Sequence, residues 1–259
     1  MFMKIGFIKT VTGCILALAL FAVSSCGNTK NATYFNGIKD GNIQSNTPFP
    51  ESVIQKSDIL SITVSSLNPE ASAVFNSPNS SSVGTGSPIG YLVNTEGNIQ
   101  YPLIGNIKAE GLTKNQLKNN LAKSLIDKKL LLDPIVTIRF INFRVTVLGE
   151  VNHPTVVSVP NEKISLLEAI GLAGDLTIYA RRNNVMVIRE DKDQKIIKRL
   201  DLNSDEIFTS PYYYLQSNDI VYVEPNKAKI ASVSGGMQWA PIVMSGLSLI
   251  LIAATQLLK

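Results

Sequence analysis

Two apolar runs lie near opposite ends of this chain and confine its soluble domains to the residues between them. The first run extends from Val11 to Val23 and follows a short basic start at Lys4 and Lys9. Roughly 7–15 apolar residues after basic residues are typical of a secretory leader and are too few for a stop-transfer helix. We therefore predict that residues 1–25 form a signal peptide and that the protein is exported.

A cysteine directly follows this leader. The sequence Val23-Ser24-Ser25-Cys26 resembles a bacterial lipobox, in which Cys26 is lipidated and becomes the mature N-terminus. A diacylglycerol and an N-acyl chain on one residue would give stable membrane attachment. Gly27 rather than an aspartate comes next, so we expect delivery to the outer membrane. The alternative is an ordinary leader with a chance cysteine at its edge.

The second apolar run extends from Ala240 to Leu258 and carries no charge. It predicts a C-terminal transmembrane helix at residues 240–258, with Trp239 and Lys259 at the two membrane interfaces. On a helical projection, one face collects polar side chains, namely Ser245, Ser248, Thr255 and Gln256. Two interpretations stay open: a single helix with a few tolerated hydroxyls, or several copies whose polar faces line a lumen or contact each other.

The segment after the cysteine, residues 26–48, is rich in Asn, Gly, Ser and Thr and predicts a lipid-anchored tether. Beyond it, Ile59 to Val64 alternates like a strand, and residues 66–88 read as a polar loop. Thr113 and Gln116 form a capping box that opens a helix, and the positions expected on its buried face are Leu117, Leu121 and Leu125. Further strands are predicted at Gly90 to Val93, Asn98 to Tyr101 and Ile135 to Ile141.

A second unit begins near Asn142 with the strand Arg144 to Val151 and a turn at His153-Pro154. Ser165 and Glu168 form another capping box, which opens a helix that should end at Gly174. The remaining strands are predicted at Thr155 to Val159, Asn184 to Arg189, Lys195 to Leu202 and Asp219 to Val223. A helix embraced by short strands favours a small α+β, grasp-like module. Because no flexible linker separates the two units, we expect them to pack closely.

With these elements in place, the chain resembles the polysaccharide biosynthesis/export family of outer-membrane lipoproteins, the Wza-type translocons. The first unit resembles the export domain through the strand after Asp58, the stretch from Gly90 to Thr113 and the run Asp133 to Phe140. The second resembles a soluble-ligand-binding β-grasp (SLBB) domain through three segments: Val145 to Val151, Ile164 to Thr177 and Ser217 to Pro225. Ser57 stands where the family usually has glycine.

The resemblance implies an α+β fold in which an export domain at 49–141 packs on an SLBB-like β-grasp domain at 142–226. A linker at 227–239 and the C-terminal transmembrane helix would follow. It also implies a homo-oligomeric ring that conducts polysaccharide, with soluble domains in the periplasm and membrane lipid around the anchors. The inner-membrane partner would be a polysaccharide co-polymerase, often coupled to a tyrosine kinase.

Catalytic and metal chemistry find little support among the residues. His153 reads as part of a hairpin turn, and Cys14 lies inside the leader, so the mature protein would hold no disulfide and no zinc cluster. Carboxylate pairs such as Asp191 and Asp193, or Asp201 and Asp205, sit in hydrophilic turns where solvation explains them. We therefore expect no enzyme activity and no cofactor.

Charge and aromatic residues leave weaker alternatives. Without Lys4 and Lys9, the 24 basic residues become 22 against 20 acidic ones, which argues against nucleic acid as a partner. Tyr212 to Tyr214 could stack on sugars, although strand packing or a subunit contact explains such a run more simply. Four arginines could attract an anionic polymer or could be ordinary loop charges: Arg139, Arg144, Arg181 and Arg182.

The sequence therefore predicts an outer-membrane lipoprotein that oligomerises into a channel for export of capsular or exopolysaccharide. The rival hypothesis is a monomeric, periplasm-facing lipoprotein that binds a soluble ligand through its β-grasp domain. The mass of the assembly in detergent distinguishes the two hypotheses.

Overall fold

A computed structural model describes residues 33–36, 38, 41–43, 51–76, 90–191, 194–233 and 239–257. The predicted signal peptide, the lipidation site Cys26 and the interface residue Lys259 lie outside these residues. All contacts described below fall within the unit Tyr34–Lys259.

The first domain is built around a three-stranded antiparallel sheet in the order β2-β1-β5. Its elements are β1 (Ile59–Ser65), α1 (Pro69–Ala73), β2 (Tyr91–Leu92), β3 (Asn98–Tyr101), β4 (Gly105–Lys108), α2 (Lys114–Asp127) and β5 (Ile135–Phe140). Strands β3 and β4 form a separate hairpin. Alternation along β1 places Leu60, Ile62 and Val64 in the core, and α2 adds three buried leucines there.

The second domain is a five-stranded mixed sheet in the order β7-β6-β10-β8-β9. Its elements are β6 (Arg144–Gly149), β7 (Thr155–Ser158), α3 (Leu166–Leu172), β8 (Ala180–Asp191), β9 (Gln194–Leu200) and β10 (Ile220–Pro225). The central strands β6 and β10 run parallel, and all other neighbours are antiparallel. Helix α3 buries Leu166, Ala169 and Ile170, which yields the helix-on-sheet arrangement of the predicted grasp-like module.

The mixed α and β architecture and both capping boxes are confirmed. The Thr113 hydroxyl accepts from the Gln116 amide while the Gln116 side chain accepts from the Thr113 amide, and Ser165 and Glu168 repeat the pattern. Gly174 adopts a φ of 79° directly after α3, as the predicted helix end requires. Among the described residues, sequence reasoning missed strand β4, a 3₁₀ turn at Asp205–Thr209 and a helix at Lys227–Val233. It also missed α1 and the 3₁₀ turn Val74–Asn76, both in the predicted polar loop 66–88.

The predicted linker at 227–239 contains a helix, α4 (Lys227–Val233), because Asn226 caps the Lys229 amide through its side chain. Helix α5 (Ala240–Leu257) follows, so the predicted C-terminal helix is confirmed as a helix. Within the described ranges, however, no helix combines the length and the apolarity that a bilayer crossing requires. The membrane-spanning role predicted for residues 240–258 is therefore not supported by the described residues.

Candidate functional site

The two domains meet around a polar cavity of about 430 Å³. Helix α2 contributes its first turn and strand β5 its outer edge, while the loop before α3 contributes Asn161 and Glu162. The first domain lines the cavity with polar residues and with two apolar ones, Val136 and Ile138. The polar residues are Glu51, Ser52, Lys114, Asn115, Lys118 and Thr137. Such a lining offers hydrogen bonds to a hydroxyl-rich or extended ligand, and it holds no arrangement of nucleophile and base.

Glu162 closes one end of this cavity and connects the two domains. Its carboxylate pairs with Lys114 on α2 and also accepts the backbone N–H of Phe140 at 2.8 Å. The Glu162 side chain is only 12% exposed, so the ion pair is shielded from solvent more than a surface pair would be. Strand β5 lies at the edge of its sheet. At Phe140, the Glu162 carboxylate accepts the N–H that would otherwise face a neighbouring strand.

A second link between the domains runs through Asn142, the residue between β5 and β6. The Asn142 side-chain oxygen accepts the Ile59 N–H at 2.9 Å, and its side-chain nitrogen donates to the Ser57 carbonyl at 3.0 Å. Gln55 adds a third link by donating to the Glu190 carbonyl at 3.1 Å. These bonds confirm the prediction that the domains pack closely, and they restrict independent movement of either domain.

An aspartate turn opens one strand in each domain. Asp58 precedes β1 and accepts the Gln55 N–H at 2.7 Å, whereas Asp219 precedes β10 and accepts the Gln216 N–H at 2.8 Å. Both carboxylates are fully buried. Asp219 also binds the guanidinium of Arg189, with contacts of 2.7, 3.0 and 3.2 Å.

No such cation lies beside Asp58 in the part of the chain that the structure describes. The second oxygen of Asp58, Oδ1, has no hydrogen-bond partner among the described residues. Burial raises the pKa of Asp58 to about 6, and the bond from the Gln55 amide offsets this only in part. Asp58 therefore holds a proton under mildly acidic conditions in which an ordinary aspartate is ionised.

Part of the predicted tether is attached to the second domain. The ring of Phe35 stacks on Phe208 with centroids 5.7 Å apart, and the Phe35 N–H donates to the Leu202 carbonyl at 3.3 Å. The Tyr34 hydroxyl donates to Asp175, and burial raises the pKa of Tyr34. The predicted tether at 26–48 is thus bound to the protein surface at these two aromatic residues.

The outer faces of the two sheets differ in chemistry. In the first sheet, the outward residues of β1 and β5 are Ser61, Thr63, Ser65, Thr137 and Arg139, together with the apolar Ile59 and Ile135. In the second sheet, each of the five strands contributes at least one outward apolar residue to a band, defined here as the outer apolar face: Leu148, Val156, Met186, Ile188, Ile197 and Ile220. Thr146 and Tyr222 lie between these residues. Both faces keep solvent access, and the outer face of the first sheet is the more polar of the two.

The predicted site residues of the C-terminal helix are not brought together with the cavity by any described contact. Trp239 is 65% exposed and Gln256 is also exposed. The hydroxyls of Ser245 and Ser248 donate to the carbonyls of Ile242 and Met244, both at 2.9 Å, and are satisfied within their own helix. Thr255 lies in the same helix.

The other residues considered as candidates from the sequence have structural partners. His153 lies in a turn, where its N–H donates to the Ala173 carbonyl at 2.8 Å. Arg181 pairs with Glu224 at 2.8 Å, and the guanidinium of Arg182 lies 5.3 Å from the Tyr34 ring centre. Tyr213 packs against Phe208. No group of three or more potential metal ligands occurs in the part of the chain that the structure describes.

Sequence reasoning did not identify Glu162, Asn142 or Arg189 as important. Each acts on a partner that is distant in sequence, such as Glu162 on Phe140 and Arg189 on Asp219. An arginine at a position facing the sheet interior was the only signal available for Arg189, and nothing local marks the other two.

Comparison with protein families gives two matches. Residues 46–140 match the family described as polysaccharide biosynthesis/export protein, and residues 143–223 match the SLBB domain. The boundary between the matches coincides with Asn142, the residue that links the domains.

Two curated relatives share 30% identity with this chain over 155 residues. Both are called EPS I polysaccharide export outer membrane protein EpsA, one from Ralstonia solanacearum and one from Ralstonia nicotianae. The matched region covers 59% of this chain and 40% of each relative, so the chain spans well under half the length of the proteins it matches.

Proposed function

Because the chain joins a polysaccharide biosynthesis/export domain to an SLBB domain, we propose that it serves polysaccharide export at the outer membrane. In this proposal it is a lipoprotein anchored at Cys26, and its copies assemble into a channel for capsular or exopolysaccharide. The soluble domains face the periplasm. The observation that carries the proposal is the presence of both matched domains, in this order, on either side of a bonded joint at Asn142.

The names of the relatives support the location and the cargo. Both are named as outer membrane proteins of polysaccharide export. These are export proteins rather than enzymes, and the polar cavity at the joint offers binding groups without a nucleophile and base. We infer that the protein conducts polymer passively and that the driving energy comes from elsewhere.

The outer face of the first sheet suits this role. A hydrated polymer passes most easily along surfaces that exchange hydrogen bonds with water and sugar hydroxyls. Ser61, Thr63 and Thr137 provide such groups, and Arg139 adds a positive charge. We assign this face to the aqueous side of the assembly.

The C-terminal helix would contribute to assembly through its polar face at Ser245, Ser248, Thr255 and Gln256. Replacing Ser245 and Ser248 together by leucine adds bulk to that face while removing two internally satisfied hydroxyls. We expect at least a tenfold loss of export if the face packs against neighbouring helices. The control is leucine replacing Val243 or Ile250, which a rotation of about 100° per residue places on the opposite side of the helix, and it should have little effect. Surface glycan per cell is the measurement.

The partners in this proposal are further copies of the chain, the polysaccharide, membrane lipid, and an inner-membrane polysaccharide co-polymerase or tyrosine kinase. Nucleic acid is not among them. A complex that forms with the co-polymerase only when the export domain is intact would support this assignment.

The decisive experiment combines a deletion strain with the mass of the purified protein in detergent. We expect the strain to lose surface polysaccharide and the protein to form a closed oligomer several times the mass of one chain. Restoration by the wild-type gene but not by a Cys26→Ser variant would support lipid anchoring. A stable monomer from a strain with normal surface glycan would instead favour a lipoprotein that binds a soluble ligand.

A further inference from the structure

The five-stranded sheet of the second domain has an outer face that is unusually apolar for a surface exposed to water. A sheet covered by a helix on one side normally alternates apolar inward and polar outward residues. Here Val145, Val147 and Val221 point inward as expected, but Leu148 and Ile220 point outward beside them. Contact with water does not explain why these outward side chains are apolar.

The apolar side chains on this face lie in register across all five strands. Val156 on β7 pairs with Thr146 on β6, which lies opposite Ile220 on β10. Ile220 in turn pairs with Ile188 on β8, and Ile188 pairs with Ile197 on β9. A second row runs from Leu148 through Tyr222 to Met186. Because strands lie about 4.8 Å apart, the band is roughly 20–25 Å wide.

The rim of this face is charged, and both signs are present. Beyond the first row lie Arg144, Glu190 and Lys195, and beyond the second row Glu224 binds Arg181 and Arg199 at 2.8 and 2.9 Å. An apolar centre with a polar, mixed-sign rim is the anatomy of a protein–protein contact. A hydrated polysaccharide would not desolvate such a centre, and an anionic lipid surface would favour a rim of one sign.

Contact through the edge strand β9 is less suitable than contact through this face. Strand β9 is an edge strand and carries Lys195, Lys198 and Arg199, all exposed. Lysines on an edge strand hinder the addition of another strand. A neighbour is therefore directed towards the broad face.

From these observations we propose that the outer apolar face is the centre of the contact between neighbouring copies of this chain. The proposal rests on the proposed oligomeric channel and specifies which surface builds it. A ring needs a heterologous contact, in which this face meets a different surface of the next copy. The band alone covers about 300–400 Å², less than the roughly 800 Å² per partner of a stable contact, so the charged rim completes the interface.

The test introduces a charge at either end of the band in the full-length protein. Val156 and Ile197 are 55% and 58% exposed, so Val156→Glu and Ile197→Glu should fold. We expect each to dissociate the oligomer, measured by light scattering in detergent, with at least a tenfold higher protein concentration needed for half-assembly. The matched control is Leu132→Glu, which places the same charge at a 94% exposed leucine outside the face.

Cysteine labelling gives an answer that does not depend on how the charged variants fold. The sequence contains only Cys14 and Cys26, and both precede the described domains. A thiol reagent should label Val156→Cys and Ile197→Cys at least ten times more slowly in the oligomer than in dissociated protein, whereas Leu132→Cys should label equally in both.

Three results would overturn the proposal in different ways. Copies would meet elsewhere if both folded glutamate variants kept the mass of the wild-type oligomer. The same would follow if position 156 were labelled at equal rates in the oligomer and in dissociated protein. Neither result would argue against the channel itself. Intact oligomers that lose only their binding to vesicles would reassign the face to lipid. A wild-type protein that stays monomeric would remove this contact and the proposed channel together.

Discussion

The two domains open a strand with the same aspartate turn but neutralise its carboxylate differently. The sequences are Gln55-Lys56-Ser57-Asp58-Ile59 and Gln216-Ser217-Asn218-Asp219-Ile220. In both, the glutamine N–H donates to the aspartate, and the third residue has a positive φ, 69° at Ser57 and 66° at Asn218. Asp219 is paired with Arg189, whereas Asp58 keeps an oxygen without a partner among the described residues.

This difference shows that one backbone geometry can be stabilised by two electrostatic solutions. A buried carboxylate must either find a cation or hold a proton, because an isolated buried charge is strongly unfavourable. Asp219 takes the first solution, whereas Asp58 takes the second when the pH is below about 6. The second domain therefore depends on an ion pair, and the first depends on pH.

Among the variants that test this difference, replacement of Arg189 should lower the free energy of unfolding most. Arg189→Met leaves the fully buried Asp219 carboxylate without its cation, and we expect the free energy of unfolding to fall by about 3–5 kcal/mol at pH 7. Urea unfolding measures it. The control, Arg199→Met, breaks an exposed pair with Glu224 and should cost less than about 1 kcal/mol. A loss at Arg189 no larger than at Arg199 would mean that the two aspartates do not differ as described.

The pH dependence of Asp58 should come next in size. Its folded pKa of about 6 exceeds the ordinary value of 3.8, so its neutral form stabilises the fold below about pH 4, and this contribution disappears as the pH rises through 6. Relative to Asp58→Asn, the wild-type protein should lose about 2–3 kcal/mol between pH 4 and pH 7. Urea unfolding of both proteins across this range measures the difference.

Comparison with the Asp58→Asn variant removes the contributions of other titrating groups to the pH dependence of stability. Hydrogen bonds lower the pKa of Glu168, and Arg199 lowers the pKa of Glu224. Protonation of either glutamate therefore destabilises the fold when the pH falls. These contributions are the same in both proteins and cancel in the difference. Parallel stability curves for the two proteins would show that folding does not raise the pKa of Asp58.

The smallest effect should come from the residues with positive φ. Serine is strained at a φ of 69°, whereas asparagine tolerates this region. Ser57→Gly should therefore stabilise the first domain by about 0.5–1 kcal/mol, and Asn218→Gly should change the second by less than about 0.5 kcal/mol. Thermal unfolding of the two variants measures the shift. Equal shifts would indicate that the two turns are equally relaxed.

Local patterns predicted the elements whose causes are local. The capping boxes at Thr113 and Ser165 and the alternation of β1 and β5 each depend on residues within a few positions of each other, and all appear as expected. Helix α1 had local signals as well, since Asn68 caps it and Pro69 begins it. Its position in a Ser-rich segment hid those signals.

The candidate site could not be predicted in the same way. Glu162 binds Phe140, 22 residues earlier, and Asn142 binds Ile59, 83 residues earlier. Such partners are set by the tertiary fold, which no local pattern specifies. The outer apolar face was also invisible in sequence, because the uninterrupted apolar runs of β8 and β10, Val185 to Ile188 and Ile220 to Val223, read as burial on both sides. Only the register of the five strands shows which side stays open.

The bonded joint has a geometrical consequence for any closed assembly. Each copy must be rotated from the last by a fixed fraction of a full circle, and an error in that angle accumulates around the circumference. Asn142, Glu162 and Gln55 fix the angle between the two domains within each copy. One contact made by the second domain would then also set the direction in which the first domain points, so closure would need one well-defined interface rather than two.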